Sequence, residues 1–100
     1  MFEREGFMLY STTIRLHIKK DLTIPKILSI QDWEKCFLKS STRAKSQSGK
    51  DFFLKCYKLV NRALSCNAKH LTVAYRKGSL LLTFEFINKN DLNTFTSIFH

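Results

Sequence analysis

One hundred residues supply one small domain and leave no room for a second core. An apolar fraction of 44% with 13% aromatic residues excludes a disordered polar chain, and no apolar run approaches the roughly 18 residues of a membrane-spanning helix. Seventeen Lys and Arg against eight Asp and Glu give a net charge of +9, which directs attention to phosphate backbones, anionic surfaces or acidic proteins.

Three cysteines, an odd number, together with an opening Met-Phe-Glu-Arg-Glu that lacks the basic-then-apolar order of a leader, lead us to expect a soluble protein of a reducing intracellular compartment without a membrane partner. From Phe7 to Ile18 the parity is that of a half-buried strand. Met8, Tyr10, Ile14, Leu16 and Ile18 take one face, and Ser11, Thr13, Arg15 and His17 the other. A second short strand is expected over Ile24 to Ile30, with Pro25 at an edge or a strand start because it cannot donate to a ladder.

Between Ser29 and Lys39 the period changes to three and four, with Ile30, Trp33, Phe37 and Cys36 recurring. Asp32 and Glu34 come early and Lys35 and Lys39 late, as the helix dipole favours. The stretch Lys39 to Lys50 has no large apolar residue and reads as a loop or a frayed helix end. Asp51 is then a candidate cap for a second helix reaching about Cys66. Its apolar stripe is Phe52, Phe53, Cys56, Leu59, Val60, Ala63 and Leu64, and Asn67 is suited to end it.

Residues 69 to 87 read as a hairpin whose register follows from the sequence. With Lys77-Gly78 as a two-residue turn, paired positions sum to 155. Leu71 then faces Phe84, Val73 faces Leu82 and Tyr75 faces Leu80. On the other face His70 meets Glu85, Thr72 meets Thr83, Ala74 meets Leu81 and Arg76 meets Ser79. A slip of one residue spoils both faces. Asn90 or Asp91 is placed to cap a last helix carrying Leu92, Phe95, Ile98 and Phe99 on one side. The expected order, β-β-α-α-β-β-α, is that of an α+β domain.

Catalysis finds little footing in this pattern. Asp21, Asp32, Glu34, Asp51, Glu85 and Asp91 are scattered, and capping or cross-strand pairing accounts for most of them. His17, His70 and His100 have no local Cys or Asp at nucleophile-activating spacing, and the three glycines form no phosphate-cradling loop. Cys36, Cys56 and Cys66 lack the close pairing of a zinc site and read as small hydrophobes. No catalytic residue, cofactor or metal is therefore expected.

The basic residues are the best candidate for function. Lys35, Lys39 and Arg43 are spaced by four and form one ridge if the first helix runs that far. Lys45 and Lys50 continue the series, Lys55, Lys58 and Arg62 lie along the second helix, and Lys69 follows, so that nine bases stand against one acid, Asp51, between residues 35 and 69. A charge run usually makes only a solvated face, but such a face mixes both signs, and this one does not. The aromatics Trp33, Phe37, Phe52, Phe53, Phe84 and Phe86 follow core periodicity, not that of a base-stacking platform. Leu92, Phe95, Ile98 and Phe99 would either dock on the hairpin or join a protein partner or a second copy. The dipeptide Ser46-Gln47 is similar to targets of the DNA-damage kinases, and a phosphate on Ser46 would offset the charge of Lys45 and Lys50.

Two family resemblances attach to these residues. Gln31-Asp32-Trp33-Glu34-Lys35-Cys36-Phe37, the helix from Phe52 to Leu64 and the hairpin HLTVAYRKGSLLLTFEF together resemble the head domains of the non-homologous end-joining scaffold proteins, over roughly residues 24 to 100. That resemblance implies a non-catalytic, nuclear scaffold in double-strand-break repair, and it favours DNA over RNA. The helix ending at Asn67 followed by NAKHLTVAYRK is also similar to the small Alu-domain subunits of the signal recognition particle, which implies RNA binding without catalysis.

Overall fold

The computed structural model describes residues 9–18 and 27–97. It contains β1 (Tyr10–His17), α1 (Ile30–Arg43), α2 (Gln47–Ser65), β2 (His70–Arg76), β3 (Ser79–Phe86) and α3 (Lys89–Ser97). The strands make one antiparallel sheet in the order β1-β3-β2, and the class is α+β.

The hairpin pairs in the register the side chains demand. His70 faces Glu85, Leu71 faces Phe84 and so on to Arg76 opposite Ser79. The turn puts Lys77 at φ 42° and Gly78 at φ 81°, the left-handed pair that a two-residue hairpin of the favoured twist needs. Strand β3 lies in the middle, and Leu80, Leu82, Phe84 and Phe86 are wholly buried along one of its faces. Leu71, Val73 and Tyr75 of β2 and Thr12, Ile14 and Leu16 of β1 flank them on that same face. The opposite face carries Thr13, Thr83 and Thr72 in one row across the three strands, with the Thr13 and Thr83 hydroxyls 2.9 Å apart.

The helices cover only the apolar face. Ile30, Trp33 and Phe37 of α1, Cys56, Leu59, Val60 and Ala63 of α2 and Phe95 of α3 join the strand residues in a single core cluster. Trp33 and Phe37 stack at 5.5 Å, and Phe95 sits against Phe84 and Phe86 at 5.0 and 5.5 Å. Burial of each such ring contributes roughly 2 kcal/mol.

Four boundaries differ from the sequence expectation. The strand expected over Ile24 to Ile30 is not formed where the structure describes it. Ser29 caps α1 by accepting the Asp32 amide at 3.1 Å, and Ile30 opens the helix as a buried residue. Ile30, Trp33, Phe37 and Ser41 make one helical stripe, and that packing outweighs a local strand preference. Ile24 and Pro25 lie outside the described residues, as do Phe7 and Met8 of the expected first strand.

The expected loop from Lys39 to Lys50 shrinks to Ala44–Ser46 because α1 continues to Arg43 and α2 begins at Gln47. Ser41 explains the extension: it is buried between the helices and donates its hydroxyl to the Lys50 carbonyl at 3.1 Å. Tertiary packing thus sustains helical turns that composition alone does not favour. Ser46, not Asp51, caps α2, accepting the Gly49 amide at 3.0 Å. Asp51 lies inside the helix and takes the Gln47 side-chain amide at 2.9 Å.

The start of α3 also moves, since Asn88 rather than Asn90 or Asp91 closes it. Its side-chain oxygen accepts the Asn90 amide at 2.7 Å, and its carbonyl accepts the amides of Asp91 and Leu92 at 3.1 and 3.2 Å. At the far end of α2, Asn67 stops the helix at φ 66°.

Candidate nucleic-acid interface

The candidate bases fall on surfaces that diverge. At about 100° per residue, Lys35, Lys39 and Arg43 lie opposite the Ile30, Trp33 and Phe37 stripe of α1, so this ridge forms and points straight into solvent. On α2 the side that meets α1 is marked by Asn61, which donates to the Glu34 carboxylate at 2.7 Å, and by Lys50, whose carbonyl takes the Ser41 hydroxyl. Lys55, Lys58 and Arg62 occupy the other flank, about a third of a turn from the core stripe.

That flank is a shaped surface. Lys55, Lys58 and Arg62 line a groove of about 410 Å³ with Asp51, Leu54 and Leu59. A second groove of about 470 Å³ brings Lys55 and Leu59 together with Thr12, Thr13, Ile14, Arg15 and Leu16 of β1 and with Phe95 and Thr96 of α3. Lys55 and Leu59 line both, one groove lying on the α2 flank and the other at the sheet edge. Arg15 belongs to this cationic set although sequence reasoning passed over it. Strand parity already put Arg15 on the solvent face, but that it lines a groove with Lys55 depends on how α2 packs.

Several carboxylates are held by neutral amides. Glu34 is taken by Asn61, Asp51 by Gln47 and Asp91 by Asn67 at 3.5 Å. Lys45 is exposed in the short connection between α1 and α2. Lys69, also exposed, precedes β2 and donates its backbone amide to Glu85 at 2.8 Å. Neither of them lines either groove.

The apolar candidates of the C-terminal helix divide likewise. Phe95 is buried in the core of its own chain, Leu92 is half-buried against the same core, and Ile98 and Phe99 lie outside the described residues. Trp33, Phe37, Phe84 and Phe86 are core residues, and Phe52 and Phe53 pack edge to face beside them. Cys56 and Cys66 are buried free thiols and Cys36 is half-buried. Desolvation pushes the Cys56 thiol up to about 12, against a weaker pull from Lys55. Cys66 moves the same way, with burial as the first cause and the Asp91 carboxylate adding to it. Among the described residues no group of three or more His, Cys, Asp or Glu side chains is placed to hold a metal ion. No helix among them is long and apolar enough to cross a membrane.

Comparison with protein-family models, with curated proteins and with solved structures returns no match. Neither the end-joining head domains nor the Alu-domain subunits gain support from that comparison, and the functional reading rests on the geometry of the bases.

Proposed function

We propose that this chain is a non-enzymatic scaffold domain of a nucleic-acid-associated complex, and that it holds a phosphate backbone along the α2 flank. The observation that carries this reading is the convergence of Lys55, Lys58 and Arg62 in one groove whose nearby acid, Asp51, is engaged by the Gln47 amide. Spacing of three and four residues on a helix puts successive cations one above another, so a backbone running along α2 meets them in turn. Lys35, Lys39 and Arg43 point elsewhere and serve a second contact or solubility. A reading in which α3 dimerises the chain has less to stand on, because Phe95 is occupied within its own core.

The test is fluorescence anisotropy with duplex DNA, single-stranded DNA and structured RNA at about 50 and about 200 mM salt, a range over which several phosphate contacts lower affinity by orders of magnitude. The expected result is binding that falls steeply with salt and is strongly weakened when Lys55, Lys58 and Arg62 are changed to Glu. Preference for the duplex favours the repair setting implied by the end-joining resemblance, and preference for RNA favours the ribonucleoprotein one. No binding to any of the three overturns the reading.

A further inference from the structure

Among the described residues β1 and β2 are the two edges of the sheet, and the register of β1 shows which of its backbone groups face outward. Just past the β1–β3 ladder the Ile18 amide donates to the Gly78 carbonyl at 2.9 Å. Antiparallel ladder bonds recur at every second residue, so Tyr10, Thr12, Ile14 and Leu16 direct their backbone N–H and C=O to β3. Ser11, Thr13, Arg15 and His17 therefore direct theirs away from the sheet. The close Thr13–Thr83 hydroxyl contact agrees, since side chains approach most nearly at non-hydrogen-bonded pairs. Among the described residues nothing pairs with these outward groups. The strand also lacks the proline or bulge that blocks edge pairing.

We propose that this edge takes an extended acidic peptide as a fourth strand. A row of alternating amide donors and carbonyl acceptors is matched by another peptide backbone, whereas a phosphate chain would use the donors alone. Arg15 flanks the edge on the solvent face, and Lys55 stands over it from α2 on the other face. Ile14 and Leu59 supply an apolar floor between them. Because successive side chains of a strand point to opposite faces, an added strand of alternating residues sets its acids on the solvent face beside Arg15 and its apolar residues over Ile14 and Leu59. Charge argues against a second copy of this chain, because pairing two β1 strands would bring two +9 molecules together along their Arg15 rows.

The inference shares Lys55 with the nucleic-acid reading but is separable from it, since Arg15 serves the peptide alone and Lys58 and Arg62 the phosphates alone. The experiment uses the full chain with an end-capped eight-residue peptide alternating Val and Glu, its Lys counterpart, and two forms N-methylated at alternate residues in opposite phase. Saturable binding of the Glu peptide is expected, about tenfold or more tighter than that of the Lys peptide, as complementary charge pairs dictate. One N-methylated phase should abolish binding and the other should retain it. Amide hydrogen exchange should slow at Thr13 and Arg15 and stay unchanged at Ile14, whose amide is already bonded. Arg15→Glu should weaken the Glu peptide, while the Lys58→Glu, Arg62→Glu double variant retains it and binds nucleic acid much more weakly. No saturable binding, equal binding of both N-methylated phases, or concentration-dependent self-association through β1 would each overturn the proposal.

Discussion

Phe95 closes the core from the end of the chain, its ring centroid 5.0 Å from that of Phe84 and its side chain wholly buried. Helix α3 has nine residues, too few to persist without a partner surface, so this ring and half-buried Leu92 hold it in place. Phe95→Ala should cost about 3–5 kcal/mol, which urea unfolding measures directly.

Cys56 links stability to alkaline pH. Its folded thiol is raised to about 12, whereas an unfolded thiol releases its proton near about 8.5. Between those values the unfolded state binds fewer protons than the native one, so the stability contributed by the neutral buried thiol falls as pH rises through that window. Wild type should lose more of its urea midpoint between pH 8 and pH 10 than Cys56→Ala does, the difference isolating the contribution of this thiol.

Ser46 carries the start of α2 through its acceptance of the Gly49 amide. Ser46→Ala should cost about 1 kcal/mol, the usual penalty for removing an N-cap. Asp51→Ala should change little, because Asp51 lies inside α2 and, among the described residues, is engaged by Gln47 alone. Paired denaturation curves of the two variants decide between the observed cap and the one that composition favours.

The hairpin turn gives a conformational test. Gly78 at φ 81° adopts a backbone that L side chains disfavour, and Gly78→Val should destabilise by roughly 1–2 kcal/mol. Lys77 at φ 42° is already in that region, so Lys77→Asn should raise the thermal midpoint.

The two basic stripes should behave independently in nucleic-acid binding. Replacing Lys55, Lys58 and Arg62 with Glu should lower the salt slope by about 3, since each phosphate left without its cation removes about 0.9, while the same change at Lys35, Lys39 and Arg43 lowers it by less than about 1. Equal reductions would mean that the ligand wraps both helices and that the α2 groove has no privilege.

Elements built from local periodicity are legible from the residues alone. The hairpin register follows because alternation has a period of two, and any slip sends Leu80, Leu82 and Phe84 to the wrong face. The α2 stripe follows from its continuous three-and-four spacing. The expected strand at Ile30 fails because a short apolar run fits strand and helix alike, and Ser29 suits the interior of such a run as well as a cap. The polar turns from Lys39 to Arg43 are hidden because their support is the Ser41 bond to Lys50 across the helical hairpin.

By itself the sequence determined the α+β class, the hairpin pairing, the identity of the core aromatics and the excess of positive charge, since each follows from local spacing or from counting. Only the tertiary structure decided which bases share a surface. Lys35 and Lys55 carry the same charge, but Lys35 stands on a solvent ridge of α1 while the packing of α2 brings Lys55 to a groove that β1 also lines. Periodicity says which side of its own element a residue takes, and only the packing of elements says which other element that side meets.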